Sequence, residues 1–307
     1  DNVLTTLFAW QTVTFREHLT LHADVRVVLE SDGEDRRYYS DFPHRGIYLR
    51  QLWLRYERGP LAVFGGRYEP ALRLRSRKPI FFGNYSTNLD LYGQLGGGAS
   101  LTLKGGDSRH ALTAHAFRRD TSRLRGEILR DRARDHDVLG EVGEYGPPDS
   151  YMITADGSVP VDEASVGYAL GGGSQTRGML RNQDALFANL FGEVPLAAGH
   201  RLYVSGDAMY LRDAGGQAED RTILGAGLGY RHPRAYVGAA YSVRFVEYTD
   251  AAMDRSDRTD RIVEVVARYA FTPALTTEAA YQRTAEWHTT ENAFGIALKY
   301  AVGWRKE

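Results

Sequence analysis

The sequence predicts an all-β protein, a transmembrane antiparallel up-and-down β-barrel of about 12 strands, with 14 as the alternative and one long loop. Three observations predict this fold class. Apolar and polar residues alternate one by one in about a dozen blocks between Leu19 and Trp304. Most blocks run for about ten to fourteen residues, which lets a tilted strand cross a bilayer. Tight and long connections alternate between the blocks.

The last block shows the alternation clearly. Phe294, Ile296 and Leu298 share one parity, whereas Gly295 and Ala297 share the other. Successive side chains of a strand point to opposite faces, so one face of this strand is large and apolar and the other is small. Such a strand needs lipid or a core on one side and a polar medium on the other.

Composition supports this class and excludes others. The chain has 307 residues, no cysteine and a formal net charge of -1. No run approaches the roughly eighteen apolar residues of a transmembrane helix. Neutral charge and the lack of an aromatic-plus-basic stacking motif indicate no nucleic acid. Absent cysteine fits an exported protein without disulfides, and the barrel interpretation implies a signal peptide removed before Asp1.

Each predicted strand is an alternating block bounded by residues that break strands. The blocks lie near 18–32, 45–57, 60–72, 90–104, 109–120, 184–195, 200–213, 221–231, 234–248, 261–271, 274–288 and 291–304.

The connections differ in length on the two sides of the predicted sheet. Tight turns contain Arg58-Gly59-Pro60, Gly105 to Ser108, Ala197 to Gly199, His232-Pro233 and Thr272-Pro273. Longer connections span 33–44, 73–89, 121–183, 214–220 and 249–260. Barrels of this asymmetry carry the long loops outside, and an even strand number leaves both termini in the periplasm.

The N-terminal segment 1–17 has three interpretations: a plug, a periplasmic cover or an extra strand. It contains Phe8, Trp10 and Phe15. As a strand it would make the total odd, so a plug or cover is preferred.

The segment 121–183 is too long for a structureless loop. A hairpin of Ala164 to Leu170 with Met179 to Leu186 inside it would raise the strand number to fourteen. The chain is thus divided into the N-terminal segment 1–17, a barrel over 18–304 and a tail, 305–307.

Parity also predicts which charged residues line the pore. Pro70 favours a bulge that would change the parity of the residues after it, so the register of the later arginines stays open. The predicted basic lining is Arg55, Arg67, Arg73, Arg75 and Arg77. The predicted acidic and polar lining is Asp24, Glu30, Glu264, Glu278, Gln282 and Glu286.

A basic wall facing an acidic wall would produce a transverse field that orients polar solutes. The alternative is that charges such as Asp24, Glu264 and Arg268 pair with one another. Arg67 and the three arginines that follow it in the column cannot neutralise each other, which favours a solute or lipopolysaccharide as their partner.

The hairpin from Tyr48 to Tyr68, with two aromatic-rich strands joined at Gly59, resembles those of Gram-negative porin-like outer-membrane proteins. Trp304 is similar to the terminal aromatic residue that the outer-membrane assembly machinery recognises, although Arg305 to Glu307 follow it here. The resemblance implies an outer-membrane location and passive transport.

An enzyme would need a catalytic constellation at a strand end. The chain has no Gly-x-Ser-x-Gly, no His-Glu-x-x-His and no recognisable phospholipase pattern. His288 near Glu286 is interpreted as a solvated histidine at the membrane rim. Four aspartates in the 249–260 connection have the composition of a calcium loop, but intervening arginines favour a solvated loop. These are Asp250, Asp254, Asp257 and Asp260.

The predicted function is an outer-membrane channel for passive diffusion of small hydrophilic solutes, favouring anions, with no enzymatic activity, cofactor or metal. Expected partners are outer-membrane lipid, lipopolysaccharide and the solutes; a homo-oligomer or an envelope complex stays open. One alternative is a barrel for polymer export or for anchoring an envelope assembly, and a second is an outer-membrane hydrolase. A soluble sandwich or propeller would also alternate, but its strands are usually shorter.

Overall fold

A computed structural model describes residues 4–15, 17–30, 46–70, 85, 94–119, 148–176, 180–249 and 256–300. These residues form fifteen strands in one antiparallel sheet, and each strand pairs with its neighbours in sequence. The strands are β1 (Leu4–Phe15), β2 (Leu19–Glu30), β3 (Gly46–Arg58), β4 (Leu61–Tyr68), β5 (Gln94–Gly105), β6 (Ser108–Arg119), β7 (Ser150–Val161), β8 (Ala164–Gln175), β9 (Gln183–Pro195), β10 (Arg201–Arg212), β11 (Glu219–His232), β12 (Ala235–Tyr248), β13 (Arg258–Ala270), β14 (Leu275–Glu286) and β15 (Thr289–Tyr300).

The tight turns are built by residues that accept a left-handed backbone. Gly59 has φ of 59° between β3 and β4, and Gly106 has φ of 57° between β5 and β6. Asp162 takes φ of 51° between β7 and β8, a conformation that aspartate tolerates better than most residues. These turns join paired strands in register. Those at Gly59 and Gly106 confirm two predicted hairpins, whereas the turn at Asp162 was not predicted.

The two faces of the sheet differ as the alternation predicts. On β9, Leu186 and Leu190 are 63% and 59% exposed, whereas Phe187 and Asn189 between them are 5% and 4% exposed. We call the first face outward and the second inward. A continuous apolar outward face matches hydrocarbon, whereas the inward face mixes apolar, polar and charged side chains.

Large aromatic residues mark both ends of the outward face. Tyr56, Tyr230 and Tyr269 lie toward the short turns, and Tyr151 and Trp287 lie toward the long connections. Amphipathic rings at these two levels are the pattern of barrels that cross a membrane.

The strand number expected from sequence, 12 or 14, is wrong for this chain. Residues 4–15 form β1, which pairs along its whole length with β2, although a plug or cover was preferred for this segment. Ala164 to Leu170 lies in β8, and the segment proposed as its partner reaches into β9, with which β8 pairs. The strand that sequence analysis did not propose is β7, which pairs with β8 on its other side. Pro160 and the glycine run at 171–173 weaken the strand pattern there.

Glycines let neighbouring strands and rings approach closely. A Cβ on Gly96 would lie 2.2 Å from the Ala116 carbonyl oxygen on β6. A Cβ on Gly167 would lie 2.2 Å from the Phe191 ring of β9, which covers the glycine. Inward aromatic rings therefore lie along the wall instead of projecting from it.

The inward face encloses a space. Tyr85 belongs to the connection between β4 and β5, yet its ring lies 4.3 Å from the Arg244 guanidinium carbon of β12 and is 2% exposed. It shares an apolar cluster with Tyr68 of β4 and Ile262 of β13. The sheet is thus rolled, and β1 and β15 are its two ends in the described pairings. None of the described residues forms a helix long and apolar enough to cross a membrane.

Candidate functional site

The inward faces of β12, β13 and β14 carry a charged cluster around Asp260, whose exposure is 0%. Its Oδ2 accepts hydrogen bonds from Arg244 Nε at 2.9 Å and from Arg258 Nε at 3.2 Å. Its Oδ1 accepts one from the backbone N–H of Trp287 at 3.0 Å. Arg244 Nη2 also donates to Glu286 Oε1 at 3.3 Å. Sequence analysis placed Asp260 in a solvated loop, which is wrong because β13 already begins at Arg258.

A second charged cluster lies nearer the short turns. Glu278 is 1% exposed and accepts bonds from Arg268 Nε at 3.1 Å and from Lys299 Nζ at 2.6 Å. The Arg268 guanidinium also lies over the Tyr236 ring at 5.6 Å. Glu278 therefore bridges the strands on both sides of β14, and its charge is balanced by two cations.

Between these clusters the inward face mixes polar and apolar side chains, with Ile262 and Val266 on either side of Glu264. Glu264 is 2% exposed, and Gln282 Nε2 donates to its Oε2 at 3.2 Å. Ser242 of β12 is also buried there. The two predicted lining residues Glu264 and Gln282 are thus brought together, as direct cross-strand neighbours on β13 and β14.

A β-bulge shapes the opposite part of the wall. The register of β2 and β3 shifts between Asp24 and Val25, which turns Arg50 inward. Arg50 Nη2 donates to Glu69 Oε2 at 2.7 Å, and its Nη1 lies 3.7 Å from Asp24 Oδ2. Sequence analysis missed Arg50 because a bulge changes the parity on which the lumen face was predicted.

The predicted basic residues do not gather into one column within the described residues. Arg55 lies beside Glu57, with Nε to Oε2 at 3.0 Å. Arg67 is 6% exposed, and its Nε donates to the Arg50 carbonyl oxygen at 3.2 Å. Across the strands, Arg67 of β4 is paired with the outward Leu52 of β3. Arg73, Arg75, Arg77 and the side chain of Glu30 lie outside the described residues.

Tyr85 and His115 are inward residues that sequence analysis did not select. Burial and the nearby Glu286 carboxylate raise the pKa of Tyr85, so its phenol stays neutral. His115 is 7% exposed and stacks on Tyr68 with ring centroids 5.8 Å apart. Parity alone would have placed His115 inward, but only the fold brings Tyr85 to Arg244.

The described histidines contact aromatic residues. The His22 ring stacks on Trp53 at 4.0 Å, and His110 Nδ1 lies 2.8 Å from the Tyr168 hydroxyl. Across the described ranges, no three histidine, aspartate or glutamate side chains are grouped to hold a metal. The site is a wall of paired charges.

No family model and no curated protein matches the sequence. Solved structures do match the fold. A loop L8 deletion mutant of OmpT, an outer membrane protein of Vibrio cholerae, has a TM-score of 0.59 at 12% identity, covering 97% of this chain and 96% of that one. The outer membrane channel DcaP of Acinetobacter baumannii has a TM-score of 0.59 at 13% identity, covering 96% and 84%.

OprB of Pseudomonas putida has a TM-score of 0.62 at 13% identity, covering 92% of this chain and 82% of that one. Identities this low establish the fold alone. The chain therefore has a porin-like β-barrel architecture, which confirms the resemblance seen in its hairpins.

Proposed function

We propose that this chain is an outer-membrane β-barrel through whose lumen small hydrophilic solutes diffuse passively. The observation that carries the proposal is the contrast between the two faces of the same strands. On β13, outward Val263 and Val265 are 41% and 44% exposed, whereas inward Asp260 and Glu264 are nearly inaccessible and engaged with polar partners. Lipid outside and a polar passage inside account for both faces.

Similarity to known outer-membrane proteins and channels supports the location and the transport role. The proposal involves neither a cofactor nor covalent chemistry. The paired charges of the wall would hold a transverse field across the passage, since Arg50 with Glu69 and Arg244 with Asp260 lie on distant strands. Tyr85, on the inward side of β12, narrows the passage there.

Conductance in a planar lipid bilayer tests the channel. We expect refolded protein to produce stepwise current increases, and protein unfolded by heat beforehand to produce none. Folding is checked independently by heat modifiability, the shift in gel mobility between folded and unfolded barrels. Protein that folds and inserts without conducting would contradict the channel but not the barrel.

Anion preference is a separate part of the proposal. The inward arginines discussed above, Arg244 and Arg268 among them, are paired with carboxylates. The preference therefore rests on Arg73, Arg75 and Arg77, which belong to the undescribed ranges. We expect Arg73→Gln with Arg75→Gln to move the reversal potential toward cations in a salt gradient, with a smaller effect at high salt. An unchanged reversal potential would remove the anion preference.

A homo-oligomer is also proposed. One structure of the Vibrio cholerae OmpT that matches this fold is described as a trimer form, with 11% identity to this chain. Chemical crosslinking of the detergent-extracted protein, followed by mass measurement, tests whether this chain also forms a trimer.

A further inference from the structure

Two outward arginines stand side by side near the long-connection ends of β13 and β14. Arg261 pairs across the strands with Ala285, and Arg283 pairs with Val263, so the two arginines are diagonal neighbours on the same face. Both are exposed. Like charges on neighbouring strands repel, and an anion between or above them would offset that repulsion.

The surrounding outward side chains supply no carboxylate. Arg261 faces Val243 of β12, and Arg283 faces Asn292 of β15, whose amide oxygen accepts a bond from the Tyr281 hydroxyl at 2.7 Å. The nearest acidic residues on β13 and β14, Asp260 and Glu286, have inward parity and bond to Arg244. Glu247 of β12 has outward parity, but it lies four residues beyond Val243, the partner of Arg261. Among the described residues, no hydrogen bond or ion pair joins Arg261 or Arg283 to another side chain.

Other exposed arginines near the same rim contrast with this pair. Arg212 bonds to Asp184 on β9, and Arg181 Nη1 lies 3.0 Å from Asp213 Oδ1. Both of these rim arginines thus pair with a carboxylate of the protein. No described carboxylate pairs with Arg261 or Arg283, which leaves their guanidinium groups available to a ligand.

Their height on the wall identifies the medium from which that ligand comes. Val265 lies near the middle of β13, and Arg261 lies four residues closer to the long-connection side. Four residues span about 13 Å along the strand, or about 10 Å along the membrane normal for a strand tilted by about 40°. The apolar band of such barrels is about 25 Å tall, so Arg261 lies at its upper border. The outward rings of Tyr241 and Phe245 lie at neighbouring positions on β12, as aromatic belts do at the headgroup level.

We propose that Arg261 and Arg283 bind the phosphate of an outer-leaflet lipid, and this rests on the proposed outer-membrane barrel. A guanidinium forms two parallel hydrogen bonds to phosphate oxygens, and two guanidinia neutralise the charge of a phosphate group. The aromatic residues around them contact the adjoining acyl and glycerol portions. An outward pair of this kind holds a lipid at one place on the barrel wall.

Native mass spectrometry of the full chain tests the site. Protein in neutral detergent micelles is titrated with short-chain phosphatidic acid and, separately, with phosphatidylcholine of the same chain length. We expect the unmodified protein to prefer phosphatidic acid. Arg261→Gln with Arg283→Gln should weaken that binding about tenfold or more, since charge-assisted bonds are lost.

The matched control is Arg181→Gln with Arg212→Gln, which removes the same charge from the same rim and should keep the preference. Equal losses in both double variants, or none in the first, would overturn the proposal. Inorganic phosphate is the competitor: displacement of phosphatidic acid at equal concentration would show a soluble-anion site and overturn the lipid assignment.

If the double variant does not fold, each single variant is measured in the same way. Each should lose part of the preference, and full retention in both would overturn the site. Failure of the unmodified protein to enter vesicles would instead refute the membrane barrel. The two proposals are thus separable, because micelle binding and vesicle insertion are measured independently.

Discussion

Asp260 joins three strand ends through one side chain, because Arg244, Arg258 and the backbone of Trp287 all donate to it. Replacing it with alanine leaves these donors without their acceptor at a fully buried position. We expect Asp260→Ala to lower the free energy of unfolding by about 3 kcal/mol or more. Urea unfolding of the protein in lipid vesicles measures the change.

Asp184→Ala is the comparison for Asp260→Ala. Its partner Arg212 has a side chain that is 62% exposed, and an exposed ion pair contributes at most about 1 kcal/mol. Similar losses in the two variants would mean that water reaches Asp260 and that its hydrogen bonds are not what holds these strand ends together.

Single residues show which side-chain contacts the sequence alone does not predict. Parity placed Glu264, Glu278 and Gln282 on one face, and all three are buried on the inward face of β13 and β14. It did not predict that Glu278 bonds to Lys299, since such a contact depends on the register between two strands. Arg50 was missed for a related reason: one bulge reverses parity without any change in composition.

At the scale of a strand, the assignment of faces is testable on β13 and β15. We expect Val265→Arg and Leu298→Arg to cost about 2–4 kcal/mol each, because both place a charge near the middle of the apolar band. Glu264→Gln, one residue away and inward, keeps a hydrogen-bonding partner for Gln282 and should be tolerated. Heat modifiability after refolding in vesicles reports the outcome, and equal tolerance of all three would contradict the register.

The close approach of β5 and β6 gives a second prediction at this scale. Gly96→Ala would put a Cβ 2.2 Å from a backbone oxygen and 2.6 Å from the Phe117 Cα, so the strands must separate. We expect a loss of about 1–3 kcal/mol, as overpacking usually causes.

The control for Gly96→Ala is Gly192→Ala on β9, where the nearest atom to the added Cβ is 3.8 Å away. This variant should change stability little. Urea titration of both in vesicles compares them, and a larger loss for Gly192→Ala would show that close strand approach is not what Gly96 provides.

For the whole molecule, alternation predicted the class of fold but not the number of strands. A lipid-facing strand must be apolar at every second residue, which is why most of the twelve predicted strands lie close to observed ones. β7 escaped, and β8 entered only the fourteen-strand alternative, because glycine and proline dilute the pattern. β1 was set aside because it would have made the strand number odd. The interior position of Tyr85 has no sequence signature, since Tyr85 belongs to none of the alternating blocks.

The odd number of described strands bears on how the barrel closes. Both β1 and β15 run from the long-connection side to the short-turn side, so direct pairing between them would be parallel, unlike the pairings within the sheet. Bacterial barrels have even strand numbers, and unpaired edge groups are costly in hydrocarbon. We therefore expect one further strand between β15 and β1 in the closed barrel.

Engineered disulfides distinguish this closure from direct parallel pairing, and the chain offers a clean background because it has no cysteine. Val13→Cys combined with Leu298→Cys or with Tyr300→Cys should not crosslink on oxidation, since an intervening strand would hold the two edges about 10 Å apart. Ala279→Cys with Ile296→Cys, directly opposed on β14 and β15, should crosslink. A disulfide between Val13→Cys and either partner would establish parallel closure with an odd number of strands.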